Sequence, residues 1–237
     1  KGTRPSTGPT FRLSGDRGLL VEFGTEINSE LNRLTRNMAS RLQKAALPGI
    51  EDIVSAYASL LILYTPGATN IQGLRDTVLE FADHMDLFSQ DTGQRVDIPV
   101  CYSPSFGPDL ETVAQTNNLT VQEVIDIHSS GLYPIYMIGF APGFPYLGGL
   151  DPRLITPRLD TPRSRVEAGS VGIANNQTGI YPIASPGGWQ IIGRTPYRLF
   201  VPEASDPVPY YRPGDKLRFV PISEEDFYAR IQGGAHA

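Results

Sequence analysis

The segment of residues 139–149, GFAPGFPYLGG, is the stretch around which the rest of the chain is organised. Pro142 and Pro145 each remove a backbone donor and fix φ, so the segment cannot be a regular helix and makes a poor central strand. Its aromatic residues make it too apolar for a solvated linker. We therefore expect a shaped loop, either a packed connection in a β-rich domain or a functional loop, and its residues leave both readings open.

Short apolar runs separated by Gly/Pro-rich turns follow this loop. They lie at residues 171–174, 179–181, 190–192, 197–201 and 217–220. Many short strands joined by such turns are typical of a closed barrel or a sandwich. The second part of the chain is therefore predicted to be mainly β.

The first part of the chain has a different pattern. Short strands are predicted at residues 11–13 and 19–23, and again at 50–57 and 59–64. Amphipathic helices are predicted after the N-cap residues Asn28 and Asn70. This ββαββα-like order indicates an α+β domain. The polar residues 89–93 are the predicted linker, which divides the chain into domains at 1–92 and 93–237.

Two short helices are predicted between that linker and the loop, and a third near the end of the chain. Asp109 is the predicted cap of one, and Ser223 caps the last. Thr120 and Glu123 have the spacing of a capping box. His128 then falls in the last turn of its helix, where the dipole favours the protonated imidazole. It is the group of this domain expected to titrate near neutrality.

Composition excludes several classes of function. The 237 residues carry a net charge of -5, which argues against nucleic acid and gives no attraction to an anionic membrane. No apolar run reaches the length of a membrane span. One cysteine excludes an internal disulfide and fits a cytoplasmic location. We expect a globular cytoplasmic protein that binds neither nucleic acid nor membrane.

The sequence lacks the motifs of the commonest cofactor sites. The three histidines have no partners at metal-ligand spacing, so no protein-held metal is expected. No phosphate-loop sequence is present, and the glycines of residues 139–149 do not form a dinucleotide fingerprint. Residues 185–188 lack the GxSxG pattern of a serine hydrolase.

Arginines and neutral hydrogen-bond donors in the second domain form a candidate anion-binding set, which matches no established motif. Arginine suits bidentate carboxylate or phosphate binding. The set is Arg158, Arg163, Arg165, Arg194, Ser170, Gln177, Thr178, Tyr181 and Trp189. These side chains fit a small, polar, anionic ligand, although any one arginine could equally be a loop-bracing surface cation.

Three segments carry a family resemblance. They are YMIGFAPGFPYLGGLDPRL at 136–154, TPRLDTPR at 156–163, and EAGSVGIANNQTGIYPIASPGGWQIIGRTPYRLF at 167–200. Together they closely resemble the B-subunit family of prokaryotic 5-oxoprolinase, also called allophanate hydrolase subunit 1 or the KipI-type family. The family corresponds to one half of the carboxyltransferase domain of urea carboxylase, and the resemblance covers nearly the whole chain.

The resemblance implies a cyclophilin-like β-barrel as the second domain. It also implies two partners, a KipA-like C subunit with a related barrel and a third chain, the A subunit. The implied reaction is the ATP-dependent opening of the lactam of 5-oxo-L-proline to L-glutamate, with ATP handled elsewhere or between the chains. The alternatives are a KipI-type inhibitor of a sensor histidine kinase, and the carboxyltransferase half of a urea carboxylase or allophanate hydrolase-type system.

Site residues follow from the same resemblance. His128 is the candidate for proton transfer or for polarising the lactam carbonyl. The candidate substrate-binding residues are Arg158, Arg163, Arg194, Gln177, Tyr181, Phe140, Gly143, Phe144, Tyr146 and Trp189. Glu167 departs from the family pattern, which commonly has Pro before Ala-Gly. It adds negative charge beside the arginines and could either weaken anion binding or have no effect.

Overall fold

The computed structural model describes residues 8–26, 28–84, 93–200 and 210–233. The chain divides into two compact units, Lys1–Asp91 and Thr92–Ala237. Residues 89–92 of the predicted linker lie outside the described residues, as does His236. None of the helices in the described ranges combines the length and apolar character needed to cross a membrane.

The first unit is a four-stranded antiparallel sheet with two helices. Its elements are β1 (Thr10–Ser14), β2 (Gly18–Glu22), α1 (Ser29–Ala45), β3 (Ile50–Ser55), β4 (Ser59–Tyr64) and α2 (Ile71–Asp83). The strands pair in the order β1-β2-β4-β3. Leu60 and Ile62 of β4 and Met38 and Leu42 of α1 are buried in one apolar core, because each element turns its apolar face inward.

The second unit is mainly β. Its strands are β5 (Arg95–Val100), β6 (Tyr133–Ile138), β7 (Pro145–Leu147), β8 (Arg163–Val166), β9 (Ser170–Ala174), β10 (Gln177–Ile180), β11 (Ser185–Gly187), β12 (Gln190–Arg194) and β13 (Lys216–Pro221). Its helices are α3 (Leu110–Thr116), α4 (Val121–Ser130) and α5 (Glu224–Gln232), with a 3₁₀ turn at Pro152–Leu154.

Seven of these strands form one mixed sheet that nearly closes into a barrel. The strand order is β12-β9-β10-β7-β6-β13-β5, in which β13 and β5 run parallel. The two ends of this order meet at a bridge between Cys101 and Arg194, whose backbone N–H and C=O groups exchange two hydrogen bonds of 2.9 Å. A closed sheet leaves few exposed edges. Strands β8 and β11 form a separate two-stranded sheet.

The barrel interior is filled by apolar side chains from the sheet and from helices α3 and α4. Ile98, Ile135, Ile173 and Leu217 are among its fully enclosed members. The sequence pattern therefore predicted the β character of this unit. It was wrong at residues 197–200, which are not a strand, because the N–H of Tyr197 donates to the Thr195 hydroxyl at 3.2 Å instead of to a neighbouring strand; residue 201 lies outside the described residues. The expectation of a loop throughout residues 139–149 is wrong at Pro145–Leu147, which form β7 between β10 and β6, because Pro145 is tolerated as the first residue of a strand.

Candidate functional site

Residues 139–144 form a hydrogen-bonded loop that holds one aromatic ring at the surface. The N–H of Gly139 donates to the carbonyl of Phe144 at 3.1 Å. The N–H of Ala141 donates to the carbonyl of Gly139 at 2.8 Å, which closes a three-residue turn centred on Phe140. Phe140 has φ 66° and is 66% exposed. A positive φ is strained for a bulky residue, so the loop presents Phe140 outward at a conformational cost.

Phe144 is the centre of a buried aromatic cluster beneath this loop. Its ring contacts Tyr146, Tyr181 and Trp189 edge-on, with centroid distances of 5.1, 5.4 and 5.5 Å. The guanidinium carbon of Arg158 lies 6.0 Å from the Trp189 ring centroid, within range of a cation–π contact. Phe144 therefore belongs to a packed connection, whereas Phe140 faces solvent.

Gly143 shapes the loop through its backbone. Its φ is 82°, and a Cβ placed there would lie 3.0 Å from the Cβ of Phe200. Its carbonyl accepts a 2.8 Å hydrogen bond from the hydroxyl of Tyr211, which is itself buried. Gly143 is therefore held in the core.

His128 is completely enclosed at 0% exposure. Burial lowers the pKa of its imidazole from 6.5 to about 3. The ring stacks on Phe219 with a centroid distance of 4.5 Å. The prediction that His128 titrates near neutrality in the field of the helix dipole is wrong, because loss of solvation outweighs the dipole at this position.

The hydrogen bonds around His128 fix its tautomer. Thr178 donates its hydroxyl hydrogen to the carbonyl of Gly172 at 3.0 Å, so its oxygen is left to accept from Nε2–H of His128 at 2.9 Å. Nδ1 then accepts from the hydroxyl of Tyr102 at 2.8 Å. Both ring nitrogens are therefore used inside the barrel, and the geometry explains how a neutral imidazole is accommodated there.

Three arginines meet at a cavity of about 230 Å³, called the arginine cavity below. Its lining includes Arg163, Arg165, Glu167, Ser170, Ile191 and Arg194. Arg163 and Arg165 project from the same face of β8, since alternate residues of a strand share a face. Arg194 ends β12 and is the register partner of Ser170 on β9. Sequence reasoning named Arg163 and Arg194, and the structure brings them together.

Asp109 fixes Arg163 in this wall. Its Oδ1 accepts from a terminal nitrogen of Arg163 at 2.6 Å, and its Oδ2 accepts from the N–H of Ile191 at 2.6 Å. The side chains of Arg163 and Asp109 are 32% and 9% exposed, respectively. Asp109 is the N-cap residue of α3, as predicted, but its side chain makes no cap hydrogen bond because both oxygens are used on Arg163 and Ile191. No local signal predicts this contact, because Arg163 lies 54 residues further along the chain.

Residues 167–170 form the turn that places Glu167 and Ser170 at the cavity. The N–H of Ser170 donates to the carbonyl of Glu167 at 3.2 Å. Gly169 has φ 83°, and a Cβ there would lie 2.4 Å from the carbonyl oxygen of Thr195, so only glycine fits. Arg194 anchors the turn by donating from Nε to the carbonyl of Ala168 at 2.8 Å.

Glu167 is held by two cationic neighbours. It accepts from Nε and a terminal nitrogen of Arg165 at 2.6 and 3.3 Å. These hydrogen bonds lower the pKa of Glu167, with Coulombic attraction from Arg165 and Arg194 added to them. The Glu167 carboxylate therefore lies within the electrostatic reach of both arginines.

The remaining predicted site residues lie apart from this cavity. Its lining includes none of Arg158, Gln177, Tyr181 and His128, all of which the structure describes. Gln177 begins β10, and Arg158 belongs to the aromatic cluster. Among the described residues, no group of three or more His, Cys, Asp or Glu side chains is placed to hold a metal ion. Of the three arginines at the cavity, Arg163 and Arg165 are paired with carboxylates of the chain.

Residues 9–210 match the family model for the carboxyltransferase domain, subdomain C and D. The chain belongs to this carboxyltransferase subdomain family. Members of the family named as the B subunit of 5-oxoprolinase are close relatives. The one from Bacillus subtilis (strain 168) is 42% identical over 229 residues, covering 91% of this chain and 93% of that protein. The one from Escherichia coli O157:H7 is 51% identical over 217 residues, covering 90% and 95%.

Two solved structures have folds similar to that of this chain. TTHA0988 is 36% identical with a TM-score of 0.76, over 87% of this chain. The present chain spans only 40% of the length of that solved chain. Kluyveromyces lactis urea carboxylase has a TM-score of 0.76 at 21% identity, over 94% of this chain and 22% of that one. At that identity the likeness shows the fold alone, a mixed sheet that forms a nearly closed barrel.

Proposed function

We propose that this chain is the B subunit of an ATP-dependent 5-oxoprolinase, which opens 5-oxo-L-proline to L-glutamate together with the A and C subunits. The observation that carries the proposal is the identity of 42% and 51% to two proteins of that name, over at least nine-tenths of this chain. We assign the barrel to the cyclophilin-like class and the first unit to an α+β domain, as the resemblance implies. The complex is expected to act in the cytoplasm.

The arginine cavity supplies the chemistry that this substrate requires. 5-Oxo-L-proline carries one carboxylate, which Arg194 would bind by charge-assisted hydrogen bonds, while Arg163, already paired with Asp109, adds positive charge nearby. Its five-membered lactam is stable to hydrolysis, which is why coupling to ATP is needed. The residues predicted beside the loop, Phe140, Tyr146 and Trp189, would form an aromatic wall on another face of the same domain.

His128 has a different role in this proposal. A catalytic acid or base must reach the substrate, and His128 is enclosed by Tyr102, Thr178 and Phe219. We therefore propose that His128 has a structural role, because its two ring nitrogens join Tyr102 to Thr178 of β10 inside the barrel. The groups that transfer protons would then be other residues of this chain or residues of the partner chains.

The proposed partner chains are the C subunit, with a related barrel, and the A subunit. In TTHA0988 the matching segment is part of a chain of more than twice the matched length. The additional length of that chain supports a second chain acting alongside this one here.

Reconstitution tests the proposed function. The purified chain alone should form no L-glutamate from 5-oxo-L-proline and ATP, whereas the three-subunit mixture should form it. Arg194→Gln should lower turnover at least tenfold while size-exclusion chromatography still shows assembly. Arg163→Ala is a poorer test, because it also leaves the carboxylate of Asp109 unpaired. An assembled mixture without activity would contradict the proposal.

The family model supports one second candidate, a carboxyltransferase half-domain. Such a role requires carboxybiotin delivered by a carrier domain. Binding of free biotin or a biotinylated carrier by this chain with the C subunit would favour it, and the absence of such binding alongside 5-oxoprolinase activity would exclude it.

A further inference from the structure

The arginine cavity holds hydrogen-bonding capacity that the protein itself does not use. Ser170 is 5% exposed and lines the cavity, where its hydroxyl is accessible to solvent and makes no hydrogen bond to another described residue. Arg194 uses Nε on the carbonyl of Ala168, and its terminal nitrogens have no acceptor in the described ranges. Ser170 and Arg194 are opposed on neighbouring strands, so both donors are fixed by the sheet. A hydroxyl beside a guanidinium fits one carboxylate, which can accept from both.

A carboxylate of the chain itself is already present at the rim of this cavity. Glu167 is paired with Arg165, and their side chains are 49% and 68% exposed. An exposed pair of this kind contributes little to stability and is readily exchanged. The neighbouring pair differs, because Asp109 has both oxygens occupied and cannot leave Arg163 without losing the bond to Ile191.

We propose that the arginine cavity binds a small carboxylate through Ser170, Arg194 and Arg165, and that Glu167 is its built-in competitor, holding Arg165 until the ligand carboxylate displaces it. Glu167 is thus a specificity-determining residue that sets how strongly an anion binds. The inference rests on the proposed function only for the identity of the ligand, 5-oxo-L-proline. It accounts for the effect of Glu167 that the sequence leaves open.

Binding to the isolated chain tests this proposal without requiring turnover. 5-Oxo-L-proline, acetate and inorganic phosphate are titrated separately and followed by calorimetry and NMR. Glu167→Gln removes the competing charge and keeps the side-chain size, so the carboxylates should bind about tenfold more tightly, or about 1.4 kcal/mol. In this background, Arg194→Gln and Ser170→Ala should reverse most of the gain.

The matched control is Asp97→Asn. Asp97 forms a similar exposed pair with Arg218 in the same unit, so this change alters net charge equally without touching the cavity. It should leave carboxylate affinity within about twofold of the parent chain, since distant surface charges are screened by salt. Equal gains from Glu167→Gln and Asp97→Asn, or no gain from Glu167→Gln, would overturn the proposal.

The three probes separate this inference from the proposed function. If acetate responds to Glu167→Gln but 5-oxo-L-proline does not bind, the carboxylate site stands and the proposed substrate is wrong. If phosphate alone responds, the carboxylate assignment is overturned. If 5-oxo-L-proline responds as expected and the reconstituted enzyme is inactive, the competitor role stands without the proposed reaction.

Discussion

At the scale of single residues, the environment of a side chain decides its chemistry more than its type does. From the sequence, His128 is predicted to titrate near neutrality, and Asp109 is predicted to cap a helix. The structure makes His128 a neutral core residue and Asp109 the clamp of Arg163. Neither environment is visible locally, since the partners Thr178 and Arg163 lie 50 and 54 residues away.

His128 should make stability fall as the pH falls below neutrality. Its pKa is about 3 in the folded chain and 6.5 ordinarily, so between these values the unfolded chain binds a proton that the folded chain does not. From pH 7 to pH 5 the free energy of unfolding should therefore decrease by about 2 kcal/mol from this group. Urea denaturation at the two pH values measures it.

Two variants isolate this contribution. His84→Gln removes an exposed histidine and should keep the pH dependence, whereas His128→Gln should lose it. If the latter variant does not fold, the ring resonances of His128 in the parent chain give the same answer. Titration of those resonances between pH 7 and pH 5 would disprove the expectation.

Asp109→Asn should destabilise the chain by about 1–3 kcal/mol, because it removes the charge that pairs with the partly buried Arg163. Asp97→Asn, which alters an exposed pair, should have a smaller effect. Denaturation midpoints of the two variants provide the comparison, and equal losses would argue against a buried clamp.

At the scale of elements, local signals in the sequence predicted where helices begin. Asn28 and Asn70 cap α1 and α2, Thr120 and Glu123 form the predicted capping box of α4, and Ser223 caps α5. Such bonds span two or three residues and are readable locally. The parallel pairing of β13 with β5 cannot be predicted from local sequence, because it joins residues 121 positions apart.

The strain in the loop of residues 139–144 should be measurable with a matched pair of variants. Phe140→Ala and Phe140→Gly both remove the exposed ring, but only glycine adopts φ 66° without steric cost. Phe140→Gly should therefore be more stable than Phe140→Ala by about 1 kcal/mol in thermal or urea unfolding. A less stable glycine variant would show that the turn carries no strain.

At the scale of the whole molecule, the second unit combines a barrel with a cavity built from residues far apart in the chain. The arginines and neutral donors of the second domain predicted an anion site there, and the family resemblance implied the identity of the ligand. The meeting of Arg163 with Arg194, and its separation from Arg158 and His128, depends on strand order and register.

The backbone bridge between Cys101 and Arg194 has a consequence for dynamics. Arg194 has two roles here. Its backbone joins the two ends of the strand order, and its side chain would bind the ligand. A bound carboxylate should then stabilise the closed bridge and suppress the local opening that exposes the Cys101 and Arg194 amides to solvent. Hydrogen–deuterium exchange of the Cys101 and Arg194 N–H groups should slow on adding 5-oxo-L-proline, and slow further in Glu167→Gln, while exchange in β4 stays unchanged.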